Sequence, residues 1–260
     1  MRIATWNVNS VNARLPTVLA WLEAAAPDVV VFQEIKCVDE KFPREAFESL
    51  GYNVKVHGQK SYNGVALLSK YPVSDVRRGL PGDDTDAQAR FIEAVIEAPR
   101  PVRVVGIYLP NGNPISTEKF AYKLAWFERL NAHARGLLEL EEPFTICGDY
   151  NVIPEPEDAK NPAAWVDDAL FQPQSRAAFR AMKNLGLTDA HEAMGEPAGT
   201  YTFWDYQAGA WQRNHGIRID FHLLSPQAAD RLKGIETHRD ARDMDKPSDH
   251  VPVVIELDMD

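Results

Sequence analysis

Polar side chains that could do chemistry stand next to the short apolar runs of this chain. They are Asn7, Asn9, Glu34, Tyr108, Asp149, Asn151, Asp220, Asp249 and His250. Taken singly, each is typical of a turn, because Asn and Asp are common turn formers. Because such residues recur at the ends of successive apolar runs, they instead favour one shared site. Open α/β folds build their sites where strands end at one edge of a sheet.

The residue types in this set indicate a particular chemistry. Several carboxylates with amide side chains suit a hard cation that prefers oxygen, such as Mg²⁺ or Mn²⁺. No Cys- or His-rich spacing typical of a zinc site is present. A cation held by carboxylates near His250 and Tyr108 suits cleavage of a phosphate ester, in which the metal neutralises phosphate charge and a positioned base directs water in line.

The elements that must position these residues are short strands and a few longer helices. Leu15, Val18 and Leu22 form one apolar stripe at helical spacing, a second stripe runs from Phe120 to Leu137, and a third helix is predicted over 175–185. The predicted strands are Ile3–Val8, Val29–Gln33, Tyr52–Val56, Val65–Ser69, Phe91–Glu97, Val102–Leu109, Phe144–Gly148, Ile219–Leu224 and Val251–Leu257. Strands that occur both as hairpin neighbours and after helices predict an α/β fold of two mixed sheets packed face to face with helices outside, in one domain spanning residues 1–260.

A series of motifs along nearly the whole chain resembles the exodeoxyribonuclease III family of abasic-site endonucleases, within the DNase I-like superfamily. The motifs include Thr5-Trp6-Asn7-Val8-Asn9, Phe32-Gln33-Glu34-Ile35-Lys36, Asn63-Gly64-Val65-Ala66, Gly148-Asp149-Tyr150-Asn151, Tyr201-Thr202-Phe203-Trp204, Arg218-Ile219-Asp220 and Ser248-Asp249-His250. The resemblance implies a four-layered α/β sandwich. It also implies a DNA-repair phosphodiesterase that depends on one or two Mg²⁺ or Mn²⁺ ions and cleaves 5′ to abasic sites, with 3′→5′ exonuclease and 3′-phosphatase activities.

The same resemblance implies a role for each site residue. Glu34 is the main metal ligand with Asn7 beside it, and Asp249 holds a metal or orients its waters. Asp220 pairs with His250, which contacts the scissile phosphate. The implied metal set is Asn7, Glu34, Asp149, Asn151, Asp249 and His250. The implied catalytic set is Tyr108, Asp149, Asn151, Asp220 and His250, with Asp149 transferring a proton.

Contacts to double-stranded DNA with abasic sites or blocked 3′ ends are predicted on separate segments. Lys36 and Asn111 complete the phosphate shell. Residues 55–78 carry five basic side chains against one acid, and a loop there with Lys60, Tyr62 and Asn63 could straddle a DNA backbone. Aromatic residues with arginine suit a loop that props open a duplex and receives a baseless sugar, here Phe203, Trp204, Trp211 and Arg218. For Phe203 and Trp204, burial in the core is an equally good interpretation.

Composition narrows the remaining possibilities. With 45% hydrophobic residues the chain can bury a large core, and no apolar stretch is long enough to span a bilayer. The formal net charge of −10 argues at first against a nucleic-acid partner, but net charge does not say where the charges lie. Cys147 is predicted to be a buried thiol, whereas Cys37 could be exposed, and reduced thiols favour a cytoplasmic protein. A monomer is the default expectation.

Two alternative functions stay open from the sequence. One is a phosphodiesterase of the same fold that acts on RNA, an inositol phosphate or a sphingolipid. The other is a catalytically silent DNA-binding module, against which the complete set of carboxylates, amides and histidine argues.

Overall fold

The computed structural model describes residues 1–260 and contains two six-stranded sheets. The strands are β1 Arg2–Asn7, β2 Val29–Gln33, β3 Asn53–His57, β4 Val65–Ser69, β5 Val73–Arg78, β6 Phe91–Ile96, β7 Val102–Tyr108, β8 Phe144–Asp149, β9 Thr188–Asp189, β10 Asp220–Leu224, β11 Leu232–Thr237 and β12 Val253–Leu257. The helices are α1 Leu15–Ala25, α2 Arg44–Glu48, α3 Glu118–Leu138, α4 Pro173–Lys183, α5 Ala190–Ala193 and α6 Pro226–Ala229. None of them is long and apolar enough to cross a membrane.

A parallel pair lies at the centre of each sheet. The strand order is β11-β12-β1-β2-β4-β3 in one sheet and β5-β6-β7-β8-β10-β9 in the other. β1 runs parallel to β2, and β7 runs parallel to β8, while the other pairings are antiparallel. The carboxyl ends of these four strands come together where Asn7 of β1 hydrogen-bonds to Asp149 of β8, and the polar residues after them therefore share one edge.

Alternate residues of the central strands pack against opposite layers. Val29 and Val31 of β2 lie in the core between the sheets, together with Cys147 of β8. Val30 and Phe32 face the other way and pack with the residues beneath α1 and α2. A third cluster lies between the second sheet and helices α3 and α4. The layers are thus helix, sheet, sheet and helix, which confirms the predicted four-layered sandwich.

All nine predicted strands are present, with ends displaced by at most two residues. The sequence did not indicate β5, β9 or β11. β5 and β11 are edge strands, and most of their residues are exposed or partly exposed, so they lack the apolar pattern that marks a covered strand.

The expected loop with Lys60 and Tyr62 is present, whereas one expectation about a cysteine is wrong. The other basic residues of 55–78 are distributed over strands, with Lys55 in β3 and Arg77 in β5. Cys37 is only 6% exposed, although charged residues surround it in the sequence. Both cysteines are free and buried, so the expectation for Cys147 is confirmed.

Candidate active site

Two carboxylates meet at the amide of Asn7, the last residue of β1. The Asn7 Nδ2 atom donates to Glu34 Oε1 at 2.9 Å and to Asp149 Oδ2 at 3.0 Å. Asn7 is fully buried, and its Oδ1 atom accepts from the backbone N–H of Asn9 at 3.0 Å. One amide from the first sheet therefore fixes the spacing between a carboxylate after β2 and a carboxylate at the end of β8.

A carboxylate–imidazole–carboxylate row continues from Asp149 away from Glu34. His250 Nδ1 lies 2.9 Å from Asp220 Oδ2, and His250 Nε2 lies 3.7 Å from Asp149 Oδ2. Thr202 donates its hydroxyl proton to Asp220 at 2.6 Å, which fixes that carboxylate. Ligand atoms of Asp149, Asp220 and His250 all lie within 4.8 Å of one another, so this cluster could hold a metal ion.

Burial and charge set the protonation of this row. Burial disfavours the imidazolium, but Asp220 and Asp149 outweigh it and raise the pKa of His250 to about 10. Burial also raises the pKa of Asp149, with Asp220 adding to the effect and His250 opposing it. His250 is therefore a cation at neutral pH, and Asp149 is a carboxyl group that can take up a proton near neutrality.

Glu34 is a carboxylate of the site whose neighbours favour its ionised form. Burial by itself raises the pKa of Glu34, but Lys36 and the hydrogen bond from Asn7 outweigh burial and hold this pKa below its ordinary value. The Lys36 ammonium lies 2.9 Å from Glu34 Oε2 and donates to Asn9 Oδ1 at 2.6 Å. Asn9 in turn donates to Asp249 Oδ1 at 3.1 Å, so Asp249 joins the same network from the last loop.

Backbone strain is concentrated at this edge of the sheets. Asn9, Glu34, Lys36 and Asn151 all adopt the left-handed region, with φ between 43° and 54°. Non-glycine residues pay an energetic cost there and keep such angles only where the surroundings enforce them. The chain thus accepts strain after β1, β2 and β8, where it turns polar side chains toward one another.

Tyr108 ends β7 and is oriented toward the two bridged carboxylates. Burial raises the pKa of the Tyr108 hydroxyl well above its ordinary value, and the charges of Glu34 and Asp149 raise it further. The Arg90 guanidinium stacks over the Tyr108 ring at 4.7 Å and donates to the Tyr108 carbonyl at 3.2 Å. Tyr108 is therefore held as a protonated phenol, which can donate a hydrogen bond.

An open groove of about 520 Å³ borders this cluster. Asn111, which donates to Asn151 Oδ1 at 3.2 Å, connects the groove to the loop after β8. Asn63 is part of the opposite wall, and the Tyr62 ring beside it is 70% exposed. The wall residues are mainly amides, with two cations and two tyrosines, namely Gln59, Asn63, Gln88, Asn111, Asn113, Arg90, Lys119, Tyr62 and Tyr122. No acidic side chain lines the groove, so its polar lining can accept an anionic chain.

Phe203 and Trp211 occupy different surroundings near the site. Phe203 is partly exposed and packs edge-on against the His250 ring, with centroids 5.0 Å apart. It borders a small apolar cluster that includes Ile217 and Ile219. Trp211 is partly buried, lies edge-on to Trp204 at 4.8 Å and donates its indole N–H to Asp243 at 2.7 Å.

Two residues predicted to contact DNA are instead part of the interior. Trp204 has no exposed surface, and its indole N–H donates to Asn214 Oδ1. Arg218 is 6% exposed and pairs with Asp158 at 2.7 Å and Asp189 at 2.9 Å. The burial of Arg218 in two ion pairs contradicts its predicted DNA contact, and for Trp204 the alternative interpretation of burial in the core is confirmed.

Three residues of the site region were not predicted. Asn9 follows the first strand together with Asn7, and the sequence indicated its position but no role for it. Arg90 directly precedes a strand and Lys123 lies within α3. Their spacing resembles that of an ordinary strand flank and an ordinary helix, so the sequence held no signal for either of them.

The donor set fits a divalent cation. Glu34, Asp149, Asp220 and Asp249 outnumber the two cations of the cluster, Lys36 and His250, and their ligand atoms are the hard oxygens that Mg²⁺ and Mn²⁺ prefer. A divalent ion would offset this excess of negative charge.

Comparison with known proteins agrees with the fold and the site. The model of the endonuclease/exonuclease/phosphatase family matches residues 4–250. Exodeoxyribonuclease III of Haemophilus influenzae is 35% identical, with 99% of this chain and 100% of that protein covered. The exodeoxyribonuclease of Bacillus subtilis is 31% identical over 97% of this chain and 98% of its own length.

Two solved structures are similar along the whole chain. A 3′ phosphatase from Neisseria, solved with a product DNA hairpin, superposes with a TM-score of 0.94 at 38% identity and 99% coverage of both chains. An AP endonuclease from Archaeoglobus fulgidus superposes with a TM-score of 0.94 at 36% identity and full coverage of both. Similarity of this extent, in sequence and in fold, shows that the chain belongs to the endonuclease/exonuclease/phosphatase family, alongside exodeoxyribonuclease III.

Proposed function

We propose that this protein is a DNA-repair phosphodiesterase that cleaves DNA 5′ to abasic sites and also removes nucleotides and phosphates from 3′ ends. The observation that carries this proposal is the row from Glu34 through Asn7 and Asp149 to the His250–Asp220 pair, open to an amide-lined groove. The named activities of its relatives, an exodeoxyribonuclease III, an AP endonuclease and a 3′ phosphatase, support DNA as the substrate.

His250 and Tyr108 are positioned to stabilise the scissile phosphate. The imidazolium of His250, held by Asp220, offers a positive hydrogen-bond donor toward a phosphate oxygen. The Tyr108 phenol, which stays protonated, offers a second donor to the phosphate or to the leaving oxygen. Donors fixed before the substrate binds stabilise negative charge that develops in the transition state without reorganisation.

Asp149 is the group that transfers the proton. Its raised pKa suits a residue that accepts a proton from attacking water near neutral pH. The backbone N–H of Asn151 donates to Asp149 Oδ1 at 2.9 Å, and the Asn151 amide donates to the Leu109 carbonyl at 2.8 Å. The backbone of Asn151 thus orients the Asp149 carboxylate, and the Leu109 carbonyl fixes the Asn151 side chain beside it.

Glu34 and Asn7 would hold a Mg²⁺ or Mn²⁺ ion, one or two in number, and Asp249 would help to hold it or orient its waters. When bound, such an ion supplies neutralisation of phosphate charge and activation of water. Glu34 is suited to this because it stays anionic, and Asn7 is suited because it fixes the separation of Glu34 from Asp149.

The groove beside Asn111 would bind the DNA backbone, with the exposed Tyr62 ring in its lining and Lys60 two residues away on the same loop. Phe203, next to His250, would form a wall of the space that receives a baseless sugar, which is cheap to extrude because it has lost its pairing and part of its stacking. We further propose that the enzyme acts as a monomer in the cytoplasm, where reducing conditions keep thiols such as Cys37 and Cys147 free.

The experiment that tests this function is a substrate panel with Mg²⁺ and with EDTA. The substrates are a duplex with one abasic analogue, an intact blunt duplex, a duplex with a 3′-phosphate and an inositol phosphate. We expect nicking on the 5′ side of the analogue that EDTA abolishes. Asp149→Asn should lower kcat about 10²- to 10⁴-fold with DNA affinity preserved, whereas the exposed Asp167→Asn should leave kcat unchanged.

The same panel separates the other possible outcomes. Turnover of the inositol phosphate without nicking of DNA would mean a different phosphodiesterase. Binding of the abasic duplex without metal-dependent cleavage would mean a silent binding module. Near-normal rates in Asp149→Asn would remove the proton-transfer role from Asp149.

A further inference from the structure

Lys123 is a buried lysine directly behind the candidate active site. It lies on α3 and has no exposed surface, which is unusual for a lysine. Its ammonium donates to the backbone carbonyl of Asn111 at 3.0 Å and to that of Asn151. Both acceptors belong to loops that begin at the carboxyl ends of β7 and β8, the two strands that carry Tyr108 and Asp149.

The loop after β7 lies flat against the lysine stem. Gly112 has a φ of +88°, and a Cβ built on it would come within 2.6 Å of the Lys123 Cδ atom and 3.2 Å of the Ala169 Cβ atom. A side chain at this position would have to push the loop away from the helix. The close approach brings the Asn111 carbonyl within reach of the ammonium.

The two carbonyls that Lys123 holds belong to residues whose amides are linked. Asn111 Nδ2 donates to Asn151 Oδ1 at 3.2 Å, and the backbone N–H of Asn151 donates to Asp149 Oδ1. Asn151 also adopts the strained left-handed conformation, with φ at 46°. A fixed donor to its carbonyl is one way to maintain that angle.

A buried ammonium is an expensive way to fill space. Transfer of a charged group out of water carries a large penalty unless hydrogen bonds compensate for it, and an apolar side chain of similar length would fill the same volume at lower cost. Here the hydrogen bonds of the ammonium go to backbone carbonyls rather than to a carboxylate. The position therefore calls for the donors of lysine and not only for its volume.

We propose that Lys123 is a positioning residue for cleavage, which clamps the backbones of Asn111 and Asn151 so that their amides and the Asp149 carboxylate keep their reactive alignment. This inference rests on the proposed function, since it concerns the same site. Lys123 has no exposed surface and acts only through the two asparagines.

The test compares Lys123→Met, which keeps the length of the stem and removes the donors, with a core variant on the same face of α3. Leu130 lies seven residues along the helix, is equally buried and packs in the apolar cluster beneath it. Leu130→Ala is expected to lower Tm at least as much as Lys123→Met and to leave kcat on abasic duplex within twofold. Lys123→Met is expected to lower kcat about 10- to 100-fold with KM changed less than about threefold, because misplacement by about 1 Å costs about this much in rate.

Two further readouts separate positioning from general destabilisation. Hydrogen exchange at the backbone amides of 111–113 and 150–152 should accelerate in Lys123→Met and not in Leu130→Ala. In an Asn151→Ala background, Lys123→Met should cost no more than about threefold in kcat, because residues that act as one unit are not additive.

Each outcome of these measurements points to a different conclusion about Lys123. If the wild-type protein cleaves no abasic duplex, the proposed function fails and the exchange measurement still reports on the clamp. If the wild type is active and Lys123→Met keeps kcat within twofold, or loses it no more than Leu130→Ala at equal Tm, the positioning role is overturned. Should Lys123→Met not fold, Lys123→Gln takes its place, and failure of both to fold beside a folded Leu130→Ala would make Lys123 a purely structural residue.

Discussion

Single side chains in this site are each fixed by at least one neighbour before a substrate is present. Asn7 holds two carboxylates, Thr202 holds Asp220, and Asn9 connects Lys36 with Asp249. Hydrogen-bonding neighbours of this kind set the orientation of metal-binding and catalytic groups. Their loss commonly costs one to two orders of magnitude in metal affinity or rate.

At this scale Glu34 gives the sharpest prediction. Glu34→Gln keeps the shape of the side chain but removes the charge that would attract a cation and that pairs with Lys36. We expect the Mg²⁺ concentration for half-maximal cleavage to rise about 10- to 100-fold. A titration of activity against Mg²⁺ measures this, with the exposed Glu45→Gln as the matched control. An unchanged requirement in Glu34→Gln would place the cation elsewhere, for example within the Asp149–Asp220–His250 cluster.

The residues that converge here were predictable as strand-end polar groups. The resemblance also implied the Asp220–His250 pair and the place of Asn7 beside Glu34, whereas the hydrogen bonds from Thr202 and Lys36 were not predictable. Glu34, Asp149 and His250 stand beside apolar runs, and β-sheet geometry brings the ends of parallel strands together. Lys123 gave no such signal, because its role depends on which loops happen to pass over α3. Arg218 misled for a related reason, since an arginine in a loop-like segment has the same sequence signature whether it faces DNA or the core. The same ambiguity left both interpretations open for Trp204.

Among the elements, the segment 154–168 shows how tertiary contacts give order to a stretch that reads as a surface loop. It contains two short 3₁₀ turns, at Pro156–Asp158 and Pro162–Trp165. Asp158 is 9% exposed and pairs with Arg218, which also holds Asp189 at the start of α5. The acidic and proline-rich composition of this segment indicated exposure, but one buried arginine draws part of it inward.

The buried Arg218 should therefore be a stability determinant and not a DNA contact. Arg218→Met leaves Asp158 and Asp189 buried without a counter-charge, which costs about 3–5 kcal/mol in the free energy of unfolding. Arg213 is exposed and lies shortly before Arg218 in the chain. Arg213→Met should therefore change the free energy of unfolding by less than about 0.5 kcal/mol. Urea unfolding of the two variants measures the difference. Normal stability with weakened duplex binding in Arg218→Met would restore the DNA-contact interpretation.

The two strands whose bounds the sequence predicted to the residue are covered on both faces. Val29–Gln33 and Val65–Ser69 are buried at every residue, so their continuous apolar runs fixed both ends of the strand. Val73–Arg78 is an edge strand whose side chains are mostly solvated, and its charges suggested a DNA-binding loop instead. Solvent exposure removes the constraint on residue type, and with it the information that a pattern can carry.

Over the whole molecule, the net charge of −10 conceals an uneven distribution. Four acids form the candidate metal site, and others such as Asp158 and Glu93 are buried in ion pairs. The groove next to the site has no acidic lining and carries Arg90 and Lys119, with Lys60 on the adjoining loop. DNA can therefore approach a locally neutral-to-basic surface on a protein that is acidic as a whole.

The salt dependence of duplex binding tests this distribution directly. Lys60, Arg90 and Lys119 would each neutralise one phosphate. The slope of the logarithm of the binding constant against the logarithm of the salt concentration would then be about −3, since each contact contributes about −0.9. Lys60→Ala should reduce the magnitude of that slope by about one and weaken binding similarly on all sequences. Measurements in the Asp149→Asn background keep the DNA intact.

Lys70→Ala is the matched control, because it removes the same charge from the opposite end of the sheet. Ser69 pairs with Val29 at the start of β2, whereas the site lies beyond Gln33 at its end. The salt-dependence slope of Lys70→Ala should equal that of the parent protein. If Lys60→Ala and Lys70→Ala lowered the slope equally, DNA would be responding to the net charge of the molecule and not to the groove, and the assignment of the groove as the DNA-binding surface would fail.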